Sequence, residues 1–377
     1  MGRDRDGIID FGIPIDRILY LFFEIGFSGL HSIQDGCSAM IIVREVTTDD
    51  LDALWELIGR ANTGMTSLNI DKSQLADRIE RSHFAFRRTM EKPEGAPYVF
   101  VMQDLDSGSL IGTSCIFSKT GGFEPFYAYR LVTEVSHSDL LQQSYDTRSL
   151  QLVKIHNGPT EIGSLFLLPE YRGKGCGKLL SMSRFAYMAQ KPKRFSSVTI
   201  AEMRGFLNEE NRSPIWDAIG AHFFKMDFPR ADSLSMIDKQ FIEDLMPKHP
   251  IYLDLLPEPA KSALGQVHNQ TKAALAMLEA QGFRRNDMVD IFDGGPVVEC
   301  PTAQILAIKN SRVVRLSSDC ASDALTGGTV FQGAIVTANR SPFLAIQCDV
   351  HVKDDQAWID DECRSVLGVH PGDSIRI

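Results

Sequence analysis

The sequence predicts an α/β (α+β) fold of more than one lobe, on three observations. First, the apolar run Ile162–Leu168 reads as a buried strand. It is followed at once by Tyr171-Arg172-Gly173-Lys174-Gly175-Cys176-Gly177 and then by a helical pattern from Leu179 to Met188. Second, another strand pattern, Ser197–Met203, comes after that helix. A short helix then begins with Ser213 as its cap and Pro214 at its first position, and Gly220 is expected to end it. Third, 377 residues at 44% apolar suffice for a large core divided among lobes.

Taken in order, the elements begin at Met40. Ile41-Ile42-Val43-Arg44 reads as a short strand, and Thr47 to Leu54 as a cap and a helix. Asn62–Leu68 is a polar loop expected to face the site, followed by a helix over roughly 73–91. Tyr98–Met102 and Leu110–Ile116 flank the turn 104–108 and read as a hairpin. A polar insertion, about 118–158, holds Tyr127-Ala128-Tyr129-Arg130. Beyond residue 232 the sequence predicts a helix over Gln270–Gln281, a strand over Met288–Phe292 and a turn at 293–296. From about 311, short alternating patterns at Val330–Val336, Phe343–Val350 and Ser374–Ile377 suggest a small β module, with Gly372-Asp373 as a turn. The expected division is 1–39, an extension outside the core; 40–231, the first lobe; 232–310, a second lobe; and 311–377, the β module.

The extension has an apolar run, Ile18–Phe23, that Glu24 interrupts and that is too short to span a bilayer. Met1–Asp6 lacks the positive charge of a signal peptide. An amphipathic attachment segment is the other reading of 1–39. The net charge of −10, with no dense Lys/Arg run, argues against nucleic acid as a partner. The seven cysteines (37, 115, 176, 300, 320, 348, 363) are odd in number and form no C-x-x-C pair, so neither a disulfide framework nor a metal site is expected. A reducing cytoplasm fits best. Cys176 could be read as a nucleophile, but the plain reading is a small side chain at a helix start.

The glycine segment can bind an anion. A helix N-terminus presents unpaired N–H groups and a positive dipole end, and glycines let the backbone approach. Arg172 and Lys174 add charge. The segment is not G-x-x-x-x-G-K-[ST], and Gly173-x-Gly175-x-Gly177 is not G-x-G-x-x-G. Strand, Arg-x-x-Gly-x-Gly, helix, strand and helix in this order resemble the coenzyme A-binding half of GNAT-type acyltransferases. The expectation is thus a GNAT-like core with a second, partial GNAT-like lobe and the small C-terminal β module. The second lobe's Leu278-Glu279-Ala280-Gln281-Gly282-Phe283 echoes the ending Trp216–Gly220. It carries no second phosphate loop, so one acyl-coenzyme A per chain is expected.

A closer resemblance rests on longer strings: Ala201–Gly205, Phe224–Phe228, Leu245–Tyr252, Gly265–His268 and Ile291–Pro296. They are similar to the arginine N-succinyltransferase family, over about 40–377 and most densely over 161–300. The resemblance implies transfer of the succinyl group of succinyl-CoA to the α-amino group of L-arginine, the first step of an ammonia-releasing arginine catabolism ending in glutamate. It implies a cytoplasmic homo-oligomer, with succinyl-CoA as co-substrate and no metal or permanently bound cofactor, nucleic acid or membrane. It points to Leu165 and Phe166, on the strand whose backbone would hold the acyl carbonyl. Arg172, Gly173, Lys174, Gly175 and Gly177 would hold the phosphates, and His268 would be the catalytic acid.

Aminolysis of a thioester needs a neutral amine, a site for the oxyanion and a proton for the departing thiolate. Many GNAT enzymes take that proton from a tyrosine, but the equivalent positions here are Trp216 and Leu278, which cannot supply it. On the residues alone His268 is a loop histidine, with His249 and His222 as rivals; the resemblance favours it. Arginine's guanidinium calls for carboxylates, and Glu202, Asp227, Asp232, Asp290 and Asp293 are candidates. Arg204 and Arg230 are candidates for the substrate carboxylates. Three other readings stay open: an ornithine-preferring or heteromeric succinyltransferase subunit, another GNAT-type N-acyltransferase, and a non-enzymatic protein on the same fold.

Overall fold

The first strand is short because its apolar run is short: β1 (Ile41–Glu45) buries Ile42 and Val43 and ends at a cap. There the Asp50 carboxylate accepts the Thr47 N–H (2.7 Å) and pairs with Arg44 (2.7 Å). Helices α1 (Leu51–Gly59) and α2 (Lys72–Arg87) follow. Asp71 and Gln74 close a reciprocal capping box at the start of α2, which stops at Arg87, short of the expected 91. The computed structural model describes residues 40–61, 66–68, 70–89, 92–122, 125–235, 238–318 and 328–377. The extension 1–39 and part of the polar loop 62–68 lie outside the described residues.

The expected hairpin is β2 (Pro97–Asp104) with β3 (Leu110–Phe117). The polar insertion 118–158 is a long hairpin, β4 (Phe126–Ser138) with β5 (Gln143–Ile155), paired residue by residue from Phe126↔Ile155 to Ser138↔Gln143. Then come β6 (Thr160–Leu167), α3 (Cys176–Gln190) and β7 (Val198–Glu202), a parallel crossover. Ser213 caps α4 (Pro214–Ala218) by accepting the Trp216 N–H at 3.1 Å. Gly220 opens α5 (Gly220–Phe224) rather than closing α4. A Cβ on Gly220 would lie 2.2 Å from the Trp216 ring, so close packing explains this glycine.

Helices α6 (Phe228–Ser235), α7 (Gln240–Leu245) and α8 (Glu258–Ala263) cover β4 and β5, with β8 (Ile251–Tyr252) on the sheet edge. The predicted second-lobe helix is α9 (Lys272–Ala280). Its strand is β9 (Arg284–Val289), earlier than expected, and Asp290–Phe292 belong to the turn into β10 (Pro296–Pro301). The remaining elements are α10 (Leu306–Lys309), β11 (Val313–Leu316), β12 (Thr329–Ala338), β13 (Leu344–Lys353), β14 (Gln356–Trp358), α11 (Asp361–Leu367) and β15 (Ser374–Arg376).

Among the described residues, fifteen strands form one mixed sheet in the order β12-β15-β11-β14-β13-β1-β2-β3-β6-β7-β10-β9-β4-β5-β8. Met40–Ile377 is one compact unit. The sheet runs across the expected boundaries at 231/232 and 310/311, through β7–β10 and through β1–β13. The main core lies between the middle strands and α1, α2 and α3, around Phe86, Tyr98, Phe100, Phe185 and Tyr187. A second core joins β4, β5 and α4–α8 around Trp216, which stacks on Phe224 at 5.4 Å.

Candidate active site

The glycine segment folds as its residues require. Gly173 (φ +77°) and Gly175 (φ +84°) adopt left-handed conformations that side chains rarely take, and Gly175 is the N-cap of α3. No atom lies within 4 Å of a Cβ built on Gly173, and only Gln347 Oε1 (3.3 Å) approaches one on Gly175, so the face of the loop is open. Arg172 is exposed, with its Nε donating to the Leu167 carbonyl (3.1 Å), and Lys174 is exposed beside the Tyr171 ring. Open glycine backbone, two cations and a fifteen-residue helix starting at Cys176 suit a polyphosphate. Cys176 is buried, and burial pushes its thiol up, away from the reactive thiolate.

Just before this loop the sheet opens. The pairs of β6 with β7 are Thr160↔Thr199 and Glu161↔Ile200, near their starts. On its other side, β6 pairs Gly163 with Cys115 and Phe166 with Thr113, so Ser164 and Leu165 together oppose Ser114. That is a β-bulge, with Ser164 at φ +50°, and it frees backbone polar groups from the ladder. A cavity of about 190 Å³ fills the opening. Leu165 lines it. Phe166 does not; its side chain is buried in the main core.

Carboxylates crowd one side of this cavity: Glu202 at the end of β7, Asp232 on α6, and Asp290 and Asp293 on the β9–β10 turn. Asp293 is bound by backbone, accepting the N–H of Gly205 (2.7 Å) and of Gly295 (2.8 Å). One oxygen of Asp290 accepts the N–H of Phe292 and of Asp293. Glu202 and Asp232 have no such ties among the described residues. Burial raises all four, and Asp290 further raises the other three, while hydrogen bonds to its own carboxylate hold Asp290 down. Asp232 is pushed up to about 7 by burial and by Asp290, against the pull of Arg204, and Glu202 is raised by burial, then by Glu161 and Asp290. Arg204 lies among them, with a buried Nε that lacks a hydrogen-bond partner among the described residues. A cation entering this wall would relieve the repulsion. Of the other sequence candidates, Asp227 is exposed and caps the Arg230 N–H, and neither lines the cavity.

His268 is half-buried, on the loop that meets Arg204. Its backbone N–H donates to the Arg204 carbonyl (2.8 Å), and its Nδ1 accepts the Gln270 N–H (3.2 Å). That contact assigns the ring proton to Nε2. Burial, then Arg204, lowers its pKa, so the resting imidazole is neutral. The ring is not in the cavity wall, whereas Thr271, three residues on, is. Trp216 is buried and donates Nε1–H to the Met226 carbonyl, while Leu278 lines the cavity; neither can exchange a proton. His222 and His249 are exposed and not in the cavity wall. Sequence reasoning missed Arg184, a buried arginine of α3 that lines the cavity. No local signal in the sequence marks it, because the same helix also carries Lys178 and serines, and an arginine there reads as a solvated charge.

Strand, glycine loop, helix and a splayed parallel strand around a bulge make this a GNAT-like acyltransferase fold. The family model described as "Arginine N-succinyltransferase beta subunit" matches residues 41–307. The arginine N-succinyltransferase of Enterobacter sp. (strain 638) is 43% identical over 279 residues, 74% of this chain and 81% of that one. That of Yersinia pseudotuberculosis (serotype O:3, strain YPIII) is 38% identical over 343 residues, 90% and 97% of the two chains. Among solved structures, arginine/ornithine succinyltransferase subunit AI from Pseudomonas aeruginosa superposes with a TM-score of 0.79 at 29% identity, over 90% of this chain and 98% of that one. The chain belongs to the arginine N-succinyltransferase family, and so is an acyltransferase. Among the described residues no helix is long and apolar enough to cross a membrane, and no group of His, Cys, Asp and Glu could hold a metal ion.

Proposed function

We propose that this protein transfers the succinyl group of succinyl-CoA to the α-amino group of L-arginine. The products are N2-succinyl-L-arginine and coenzyme A, and the reaction opens an ammonia-producing arginine catabolism that ends in glutamate. Beyond family membership, the observation that carries this reading is the acid-walled cavity at the β6–β7 opening, lined also by Ser181 and Arg184 of the helix that the phosphate loop begins. Glu202 and Asp232, whose carboxylates accept no hydrogen bond among the described residues, take the guanidinium, and Arg204 takes the α-carboxylate. The bulge at Leu165 offers a backbone N–H to the carbonyl oxygen, where negative charge develops as the amine attacks. The phosphates lie on Gly173, Gly175 and Gly177 with Arg172 and Lys174.

The proton balance falls to His268. Its neutral ring takes the proton that the attacking amine sheds and returns one to the thiolate as the tetrahedral intermediate collapses, ending the cycle neutral. Charging the ring weakens the Gln270 contact, because a protonated Nδ1 no longer accepts an N–H. We also propose that copies associate, because the outer part of the β4–β5 hairpin exposes Val135 (70%), Leu140 (92%) and Leu141 (57%). We place the enzyme in the cytoplasm, which suits the free buried thiols of Cys115, Cys176, Cys300, Cys348 and Cys363. Thiol release with each of arginine and ornithine, paired with each of succinyl- and acetyl-CoA, tests the function. Arginine with succinyl-CoA is expected to be fastest; a faster rate with either alternative replaces this reading.

A further inference from the structure

Arg184 is 2% exposed, at the middle of α3, and lines the cavity. Arginine is almost never buried this deeply without an anion, because an unpaired buried charge is costly. Here no carboxylate forms an ion pair with it among the described residues. Its Nε donates to the Ser181 carbonyl (3.2 Å) and its Nη2 to the Ser181 hydroxyl (2.8 Å), both on its own helix. The one ionisable group that favours its charge is the Cys115 thiol, itself pushed up to about 12 by burial and so neutral. The acids of the cavity do not serve it; Arg204 is the cation that Asp232 and Asp293 face. The guanidinium therefore lacks an anion, and its helix begins at the phosphate loop. Arg184 lies eight positions after Cys176, about 12 Å along the helix axis.

We propose that Arg184 binds the distal carboxylate of the acyl donor and makes this cavity selective for ω-carboxyacyl thioesters over neutral acyl groups. The inference rests on the succinyl-donor reading above and adds the residue that enforces it. A planar guanidinium fixed by Ser181 keeps a free edge for a bidentate carboxylate, and the anion completes the pairing that the fold leaves open. Arg204, which faces Asp232 and Asp293, is left for the acceptor. The two substrate carboxylates thus have separate partners, the acyl one on α3 and the acceptor one among the acids.

The test compares kcat/KM for succinyl-CoA and for butyryl-CoA, which has the same four-carbon length with a methyl in place of the carboxylate. The wild type, Arg184→Leu and Arg184→Gln are measured, the last keeping a donor for Ser181. Binding of free coenzyme A, which carries no acyl group, is followed by calorimetry. The wild type is expected to prefer succinyl-CoA. Either variant should lose about 10²-fold or more in kcat/KM for succinyl-CoA, keep butyryl-CoA within a few-fold, and bind free coenzyme A unchanged. A variant that binds coenzyme A normally yet keeps the wild-type preference, or loses both donors equally, overturns the role of Arg184. A wild type indifferent to the carboxylate would instead overturn the succinyl-donor reading, and this proposal with it.

Discussion

The backbone N–H of His268 donates to the carbonyl of Arg204 at 2.8 Å, fastening the loop before α9 to the strand end that carries the cavity's acid-flanked cation. Next to it, Gly205 and Val267 form an isolated antiparallel bridge. The candidate proton carrier and the candidate carboxylate anchor thus belong to one rigid seam. Substitutions of the His268 ring leave that seam's backbone bonds intact, which makes the ring's role separable from folding.

Replacing His268 by Ala or Gln is expected to lower kcat by about 10²–10⁴-fold with little change in KM and only the small stability loss of the Gln270 cap contact. Gln can hydrogen-bond but cannot carry the proton, so it should be nearly as slow as Ala. Because burial and Arg204 depress the ring's pKa, the neutral form prevails at neutral pH. Wild-type kcat should therefore fall only on the acid side, below the usual histidine range, and His268→Gln should lack that limb. Near-wild-type turnover in His268→Gln would remove the proton-transfer role.

Asp232→Asn should stabilise the free protein while weakening arginine binding. A carboxyl raised to about 7 when folded holds its proton more tightly folded than unfolded, so it costs stability as pH rises from the ordinary carboxylate range to about 7. The substitution removes that loss. The Tm advantage of the variant should grow with pH across this window, at about 2–4 °C per kcal/mol recovered, while KM for arginine rises by roughly 10–100-fold. Equal Tm values for the two proteins throughout would show that the carboxylate carries no penalty.

Gly175→Glu should abolish succinyl-CoA binding without unfolding the protein. The residue sits at φ +84°, where a side chain costs about 1 kcal/mol, and it adds negative charge at the N-terminus of α3. Calorimetry reads the affinity and circular dichroism the fold. Retained affinity would place the donor elsewhere.

A chain starting at Met40 should fold and turn over like the full chain. The pairs of β1 begin at Ile41 and run to β2 and β13, and the family match also begins there. A large loss of soluble activity on truncation would assign residues 1–39 a part in the core.

Much of this was legible in the sequence because it is local. The phosphate loop, the β2–β3 hairpin and the Ser213 cap depend on residues near one another in the chain. The β4–β5 hairpin escaped because its outer half is exposed, so residues such as Thr133–His137 need no apolar alternation. The C-terminal strands read as a separate module because their pairing with β1 joins residues some 300 positions apart. Glu202, Asp232, Asp290 and Asp293 were candidates by type alone, and the fold selects them by bringing three elements to one cavity while leaving Asp227 outside. Arg184 had no local signal to set it apart; what distinguishes it is the missing anion, which shows only once its surroundings are assembled.

The most direct test of the central claim is the mass and fragmentation spectrum of arginine after incubation with the purified protein and succinyl-CoA. The account predicts a product heavier by one succinyl group, with fragments placing it on the α-nitrogen and one thiol released per molecule formed. Unchanged arginine, or a succinyl group on the guanidino nitrogen, would contradict it.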